Sequence, residues 1–111
     1  MAYRVELRKG AQGDFATLDG SLQALAFKAL NKLKESPSYG EWLGSKHGID
    51  LTGCHKLYFN KKRHRIVYRV SESRRLIEVI AIGERDGETV YLEAAERLVE
   101  IIRKETLSTD P

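Results

Sequence analysis

The sequence predicts an α+β domain: a small, largely antiparallel sheet with N-terminal helices packed on one face and a C-terminal helix. Three observations lead there. An alternating segment opens the chain, an amphipathic helical stretch follows, and three strand-like segments then come in close succession before a second helical stripe. The order β-α-(α)-β-β-β-α separates helices from a strand meander, and it suggests helices covering one face of that sheet. At 111 residues the chain fits one core, and two would leave each half near the lower limit of autonomous folding; residues 1–111 therefore read as a single domain.

Each element has its own warrant. Ala2 to Arg8 alternates Tyr3, Val5 and Leu7 with Arg4, Glu6 and Arg8, the pattern of a strand with one wet face. After Gly10 and Gly13 a weak helical turn is expected over Asp14–Leu18, since glycine disfavours helix. From Ser21 to Glu35, Leu22, Leu25, Ala26, Ala29, Leu30 and Leu33 recur at helical spacing; Asp19 or Ser21 caps the segment and Ser36-Pro37 stops it. Ser38–Gly53, with four glycines and Trp42, reads as a long connection with at most a helical turn. His55–Asn60 alternates His55, Leu57 and Phe59 against Lys56, Tyr58 and Asn60, and Asn60–Arg63 supplies a turn. His64–Ser71 sets Ile66, Tyr68 and Val70 against Arg65, Val67 and Arg69, so basic side chains of two neighbouring strands share an open face. Arg75–Glu84 is the most apolar strand and takes a central position. Asp86-Gly87 marks a turn, Tyr91, Ala94, Ala95, Leu98, Ile101 and Ile102 form a second helical stripe to about Lys104, and Thr106–Pro111 reads as a frayed tail.

Composition narrows the function. No run approaches the roughly 20 apolar residues of a membrane span, and MAYRVELRKG carries charge where a signal peptide has its apolar stretch, so a cytoplasmic setting is expected and no membrane partner. One cysteine, Cys54, and three histidines, His47, His55 and His64, supply metal chemistry poorly; no metal and no cofactor are expected. The net charge is only +3, but between Cys54 and Arg75 lie eight cations against one acid, Glu72. Such a block attracts a polyanion, although solvated charges on strand edges and turns give the same pattern.

The stretch Cys54–Leu98 carries a set of motifs in fixed order: His55-Lys56-Leu57, Arg65-Ile66-Val67-Tyr68, Ile82-Gly83-Glu84-Arg85 and Val90-Tyr91-Leu92-Glu93-Ala94. It resembles the RelE/ParE superfamily of toxin–antitoxin toxins, and the RelE-type messenger RNA endonucleases more closely. The likeness covers about 45 residues; the N-terminal strand and helix agree only in order and character. It implies a ribosome-dependent endoribonuclease that cuts A-site messenger RNA without metal, by attack of a ribose 2′-hydroxyl on the adjacent phosphate. It implies as partners a cognate antitoxin, the ribosome with its RNA, and messenger RNA.

Site residues follow from that resemblance. Lys56 is implied as base or its electrostatic helper, Arg65 as a phosphate clamp, Arg85 as leaving-group acid or second clamp, and Tyr91 as an orienting or stacking group. A second lysine of the pattern is replaced by Tyr58, which faces the same side as Lys56 and offers an alternative base or a stacking platform. A dense cationic patch is expected to lower the pKa of one member of this cluster of Lys, Arg and Tyr. Lys61, Lys62, Arg63, Arg69 and Arg74 are the expected RNA-binding set. Plainer readings stand beside these: a solvated Lys56, cross-strand pairing of Arg65, local charge balance at Arg85, a core anchor at Tyr91, structural histidines and an inert Cys54. Two other functions share the fold: a ParE-type gyrase inhibitor, and a toxin-like module that only binds an antitoxin or nucleic acid.

Overall fold

Strand β1 (Arg4–Leu7) runs parallel to β7 (Leu76–Glu84), with Arg4 opposite Leu76 and Leu7 opposite Val79 in this computed structural model, which describes residues 3–46, 49–84 and 89–108. The other pairings are antiparallel. β7 pairs with β6 (His64–Ser71), β6 with β5 (Cys54–Phe59), and β5 with the two-residue β2 (Glu41–Trp42), giving the order β1-β7-β6-β5-β2. β7 lies inside the sheet, in keeping with its apolar sequence.

Helix α1 spans Lys9–Thr17, starting well before the expected Asp14–Leu18 turn and enclosing both glycines. Tertiary contacts outweigh its weak propensity. Where β1 ends, the open edge of β7 is closed by Asp14, whose Oδ2 accepts the Ile82 backbone N–H at 3.0 Å and Arg97 Nη1 at 2.7 Å. Arg97 also donates to the Ile80 carbonyl at 3.0 Å, and it crosses so close to α1 that a Cβ on Gly10 would stand 2.5 Å from its Nε. Helix α2 (Gly20–Glu35) matches the periodicity: Asp19 caps it by accepting the Leu22 N–H at 2.9 Å, and it buries Ala26, Leu30 and Leu33.

The segment expected to be a bare connection holds a 3-10 turn (Pro37–Tyr39), β2, and a minimal hairpin of β3 (Ser45–Lys46) and β4 (Ile49–Asp50). Gly40 allows the chain to approach β5: its N–H donates to Tyr68 Oη at 3.0 Å, and an added Cβ would meet that oxygen and the Lys56 carbonyl at 2.5 Å.

One expectation is overturned: helices cover both faces of the sheet. Ile66, Tyr68, Ile77 and Val79 pack beneath α1 and α2, whereas Val67, Ile80 and Ala81 pack beneath α3 (Thr89–Ser108) through Val90, Ala94, Leu98 and Ile101. A β-bulge explains the pattern. Val67 pairs with Ala81 and Tyr68 with Val79, so Ile80 is the extra residue and the facing of β7 changes phase there. Ile102, expected in the buried stripe, is 47% exposed, and the expected tail from Thr106 is still helical to Ser108. Among the described residues no helix is long and apolar enough to cross a membrane.

Candidate active site

Alternation on β5 and β6 sends Lys56, Tyr58 and Arg65 to the α3 face, with Tyr58 directly opposite Arg65. That face is not open as expected. The start of α3 lays Tyr91 over Arg65, with 4.4 Å from guanidinium carbon to ring centroid, and the Tyr58 ring lies 5.9 Å from the same carbon. Arg65 is left 7% exposed, its Nε has no hydrogen-bond partner, and it forms no ion pair among the described residues. A buried cation without an ion pair is costly, the two rings offset only part of that cost, and an anion relieves the rest. Lys56 stands at the mouth, donating from Nζ to Tyr58 Oη at 3.1 Å.

The hydrogen bond to Tyr58, ahead of the opposing effect of burial, holds Lys56 above the ordinary lysine pKa, with Tyr91 and Glu41 adding to the rise. Lys56 is thus not the member of the cluster whose pKa is lowered. Packing Lys56 against the Tyr58 oxygen, rather than against another cation, sets the sign. Lys56 is therefore an ammonium at neutral pH, fit to stabilise charge and unfit as a free base.

The expected RNA-binding set divides. Lys61, Lys62 and Arg63 are exposed in the β5–β6 turn, at the end of the hairpin that holds Tyr58 and Arg65; Asn60, Lys61 and Lys62 carry positive φ of 54°, 53° and 67° there. Arg69 is withdrawn from the set: its guanidinium bridges Glu78 Oε1 at 2.8 Å and Glu105 Oε2 at 2.6 Å, and Arg8 meets the same buried Glu78 at 3.1 Å. It anchors α3 to the sheet. Arg74 is exposed in the β6–β7 turn, at the opposite end of β6, about 20 Å from Arg65 at some 3.3 Å per residue. Arg85 and His47 lie outside the described residues.

His55 and His64 point away from the cluster, as their alternation required. His55 is stacked between Trp42, at 4.0 Å, and Tyr68, at 5.1 Å, and burial lowers its pKa; His64 Nδ1 is 3.2 Å from Asn60 Nδ2. Burial pushes the Cys54 thiol up to about 11, which keeps it unreactive. Sequence reasoning missed the Asp14–Arg97 bracket behind the site and the side chains beyond Tyr58 on α2. For the latter, the pair Lys28 and Lys32, one helical turn apart, was the available signal.

No protein-family model matches the chain. It is 30% identical over 98 residues to a RelE-like toxin protein of Escherichia coli, a match spanning 88% of this chain and 99% of that protein. It is 25% identical over 99 residues to the mRNA interferase toxin RelE of Escherichia coli strain K12, spanning 89% and 100%. A solved structure of a double-arginine variant of the E. coli RelE toxin in the free state superposes with a TM-score of 0.69 at 26% identity, covering 88% of this chain and 99% of that one. The same toxin variant bound to a peptide of the antitoxin RelB gives 0.65 at 25% identity, covering 85% and 95%. Length, fold and sequence agree over nearly the whole of both partners, and the chain belongs to the RelE family of the RelE/ParE toxins.

Proposed function

We propose that this chain is the toxin of a toxin–antitoxin pair and acts as a ribosome-dependent messenger RNA endonuclease. The observation that carries the reading is Arg65: a buried guanidinium clamped between two tyrosines, without an ion-pair partner among the described residues, beside a lysine held as its ammonium. That arrangement fits a phosphodiester.

In this mechanism Arg65 binds a non-bridging phosphoryl oxygen, and Lys56 stabilises the charge that grows there as the 2′-oxygen attacks. Since Lys56 is committed as an ammonium, the proton of the 2′-hydroxyl passes to Tyr58 Oη in its phenolate form, which the ammonium 3.1 Å away favours and which becomes the neutral phenol as the 2′-oxygen bonds to phosphorus. Tyr91 holds the guanidinium in place and offers its ring edge to the substrate. Arg85, outside the described residues, is proposed as donor to the departing 5′-oxygen. The reaction leaves a 2′,3′-cyclic phosphate and a free 5′-hydroxyl, and the chain's own cations supply the stabilising charge without metal. A cationic set that cradles phosphate favours this over gyrase inhibition. The antitoxin is proposed as an acidic segment that covers the basic end of the β5–β6 hairpin, and the place of action is wherever translation occurs, the cytoplasm.

The test is to add the purified protein to a translation reaction and map messenger RNA 5′ ends, with naked RNA and a gyrase supercoiling assay alongside. Cuts confined to ribosome-bound messages are expected. Equal cutting of naked RNA refutes ribosome dependence, and inhibited supercoiling without cleavage refutes the nuclease.

A further inference from the structure

Strand β2 covers β5 only at His55 and Lys56. From Leu57 to Phe59 the outer edge of β5 faces α2 instead, and between them lies an open cavity of about 160 Å³. Leu57 and Phe59 form its floor, and Lys28, Lys32, Tyr39 and Tyr58 stand around it. Lys28 and Lys32, one helical turn apart, are exposed and form no ion pair among the described residues. Lys32 Nζ lies 5.3 Å from the centroid of Tyr39, a ring that is 56% exposed. An apolar floor, an exposed aromatic ring and two cations make up the chemistry that holds a nucleobase by one face and its phosphate by charge.

We propose that this α2–β5 groove is a binding subsite for one nucleotide of single-stranded RNA adjacent to the scissile phosphate, its base against Tyr39 and its phosphate between Lys28 and Lys32. The inference rests on the reading of Lys56 and Arg65 as the scissile-phosphate site and extends it. Tyr58 belongs to both places: its hydroxyl meets Lys56 and it also lines the groove, so the cluster and the groove adjoin at this residue. An acidic peptide would also meet the two lysines. The cavity, however, has room for one flat group and shares Tyr58 with the phosphate cluster, which favours RNA.

The experiment uses two RNA probes blocked by a 2′-deoxy sugar at the scissile position: a dinucleotide that spans only the cluster, and a trinucleotide that adds the neighbouring residue. The wild-type protein is expected to bind the trinucleotide about tenfold more tightly, the effect of one stacked base. The double variant Lys28→Ala/Lys32→Ala should lose most of that advantage, lower the logarithmic salt slope for the trinucleotide by about 0.7, and bind the dinucleotide as before. Tyr39→Ala should lose the advantage with the slope unchanged. Alanine at exposed helical positions preserves the fold. Equal affinities of the wild type for the two probes, or an advantage that survives the double variant, would overturn the subsite. So would an acidic heptapeptide whose binding, unlike that of the trinucleotide, is lost in the double variant; the groove would then serve a protein. A wild-type protein that binds neither probe would refute the phosphate cluster itself, a result distinct from loss of the subsite alone.

Discussion

Arg65 is a residue at which stability and function are set against each other. Its guanidinium is buried without an ion pair among the described residues, so a side chain of similar length without charge removes a desolvation cost. Arg65→Met is expected to keep or raise the thermal midpoint while lowering single-turnover cleavage on programmed ribosomes by roughly 10²–10³, the effect of one lost transition-state contact. A variant that unfolds would make the residue structural. Tyr58→Phe tests the neighbouring contact. The phenol oxygen is the main cause of the raised Lys56 pKa, so its removal should bring the lysine back toward 10.5 in an NMR titration of the side chain. Cleavage should fall across the whole pH range, because the proposed proton acceptor is gone. A Lys56 titration unchanged by the substitution would show that the hydrogen bond does not control its charge. Alternation alone brought Lys56, Tyr58 and Arg65 to one face of the sequence reading. It could not give the sign of the Lys56 shift, which depends on whether a phenol or a second cation lies nearest in space.

Helix α1 exists because α3 and β7 hold it. The Asp14–Arg97 contact ties three elements at the bulge of β7, and Gly10 is the position that lets the guanidinium pass. In the wild-type background Gly10→Ala should destabilise the protein, since displacing Arg97 disrupts its bonds to Asp14 and Ile80. In an Arg97→Ala background the same change should stabilise it by about 1 kcal/mol, the helix preference of alanine over glycine. A double-mutant cycle of denaturant midpoints measures the reversal of sign, and an equal effect in both backgrounds would refute the coupling. This is also why the helix was hard to read in advance: its local propensity is poor and its partners lie some 70 to 80 residues away. α2, β5, β6 and β7 were legible because their own periodicity matches the faces they bury. β2, β3 and β4 were not. Two-residue strands carry no period, and they are defined by what they pair with. The placement of α3 on the second face escaped for a related reason, since both faces of β7 are apolar and only the bulge at Ile80 allots its residues between them.

Across the molecule the eight-cation block is divided by its own fold. Glu78 and Glu105 engage Arg69 in the middle, Arg74 and Arg75 lie at one end, and Lys56, Lys61, Lys62, Arg63 and Arg65 gather at the other. Five cations at one end predict a logarithmic salt slope of about −3.5 on single-stranded RNA, against about −5.6 if the whole block took part. Arg74→Ala should leave the slope unchanged and Lys61→Ala/Lys62→Ala should lower its magnitude by about 1.4; a slope that responds equally to both would mean that the block acts as one patch. The parallel pairing of β1 with β7 bears on the timing of synthesis. The partner of Arg4, Leu76, follows it only 72 residues later, at the common rate of 5–20 residues per second a wait of roughly 4–14 s. During that interval β1 lacks β7, its one neighbour in the sheet among the described residues, and Tyr91, which completes the enclosure of Arg65, is made later still. The nascent chain therefore carries the cations of the β5–β6 hairpin before Tyr91 can enclose Arg65, and the proposed phosphate site is assembled only once residue 91 has been made.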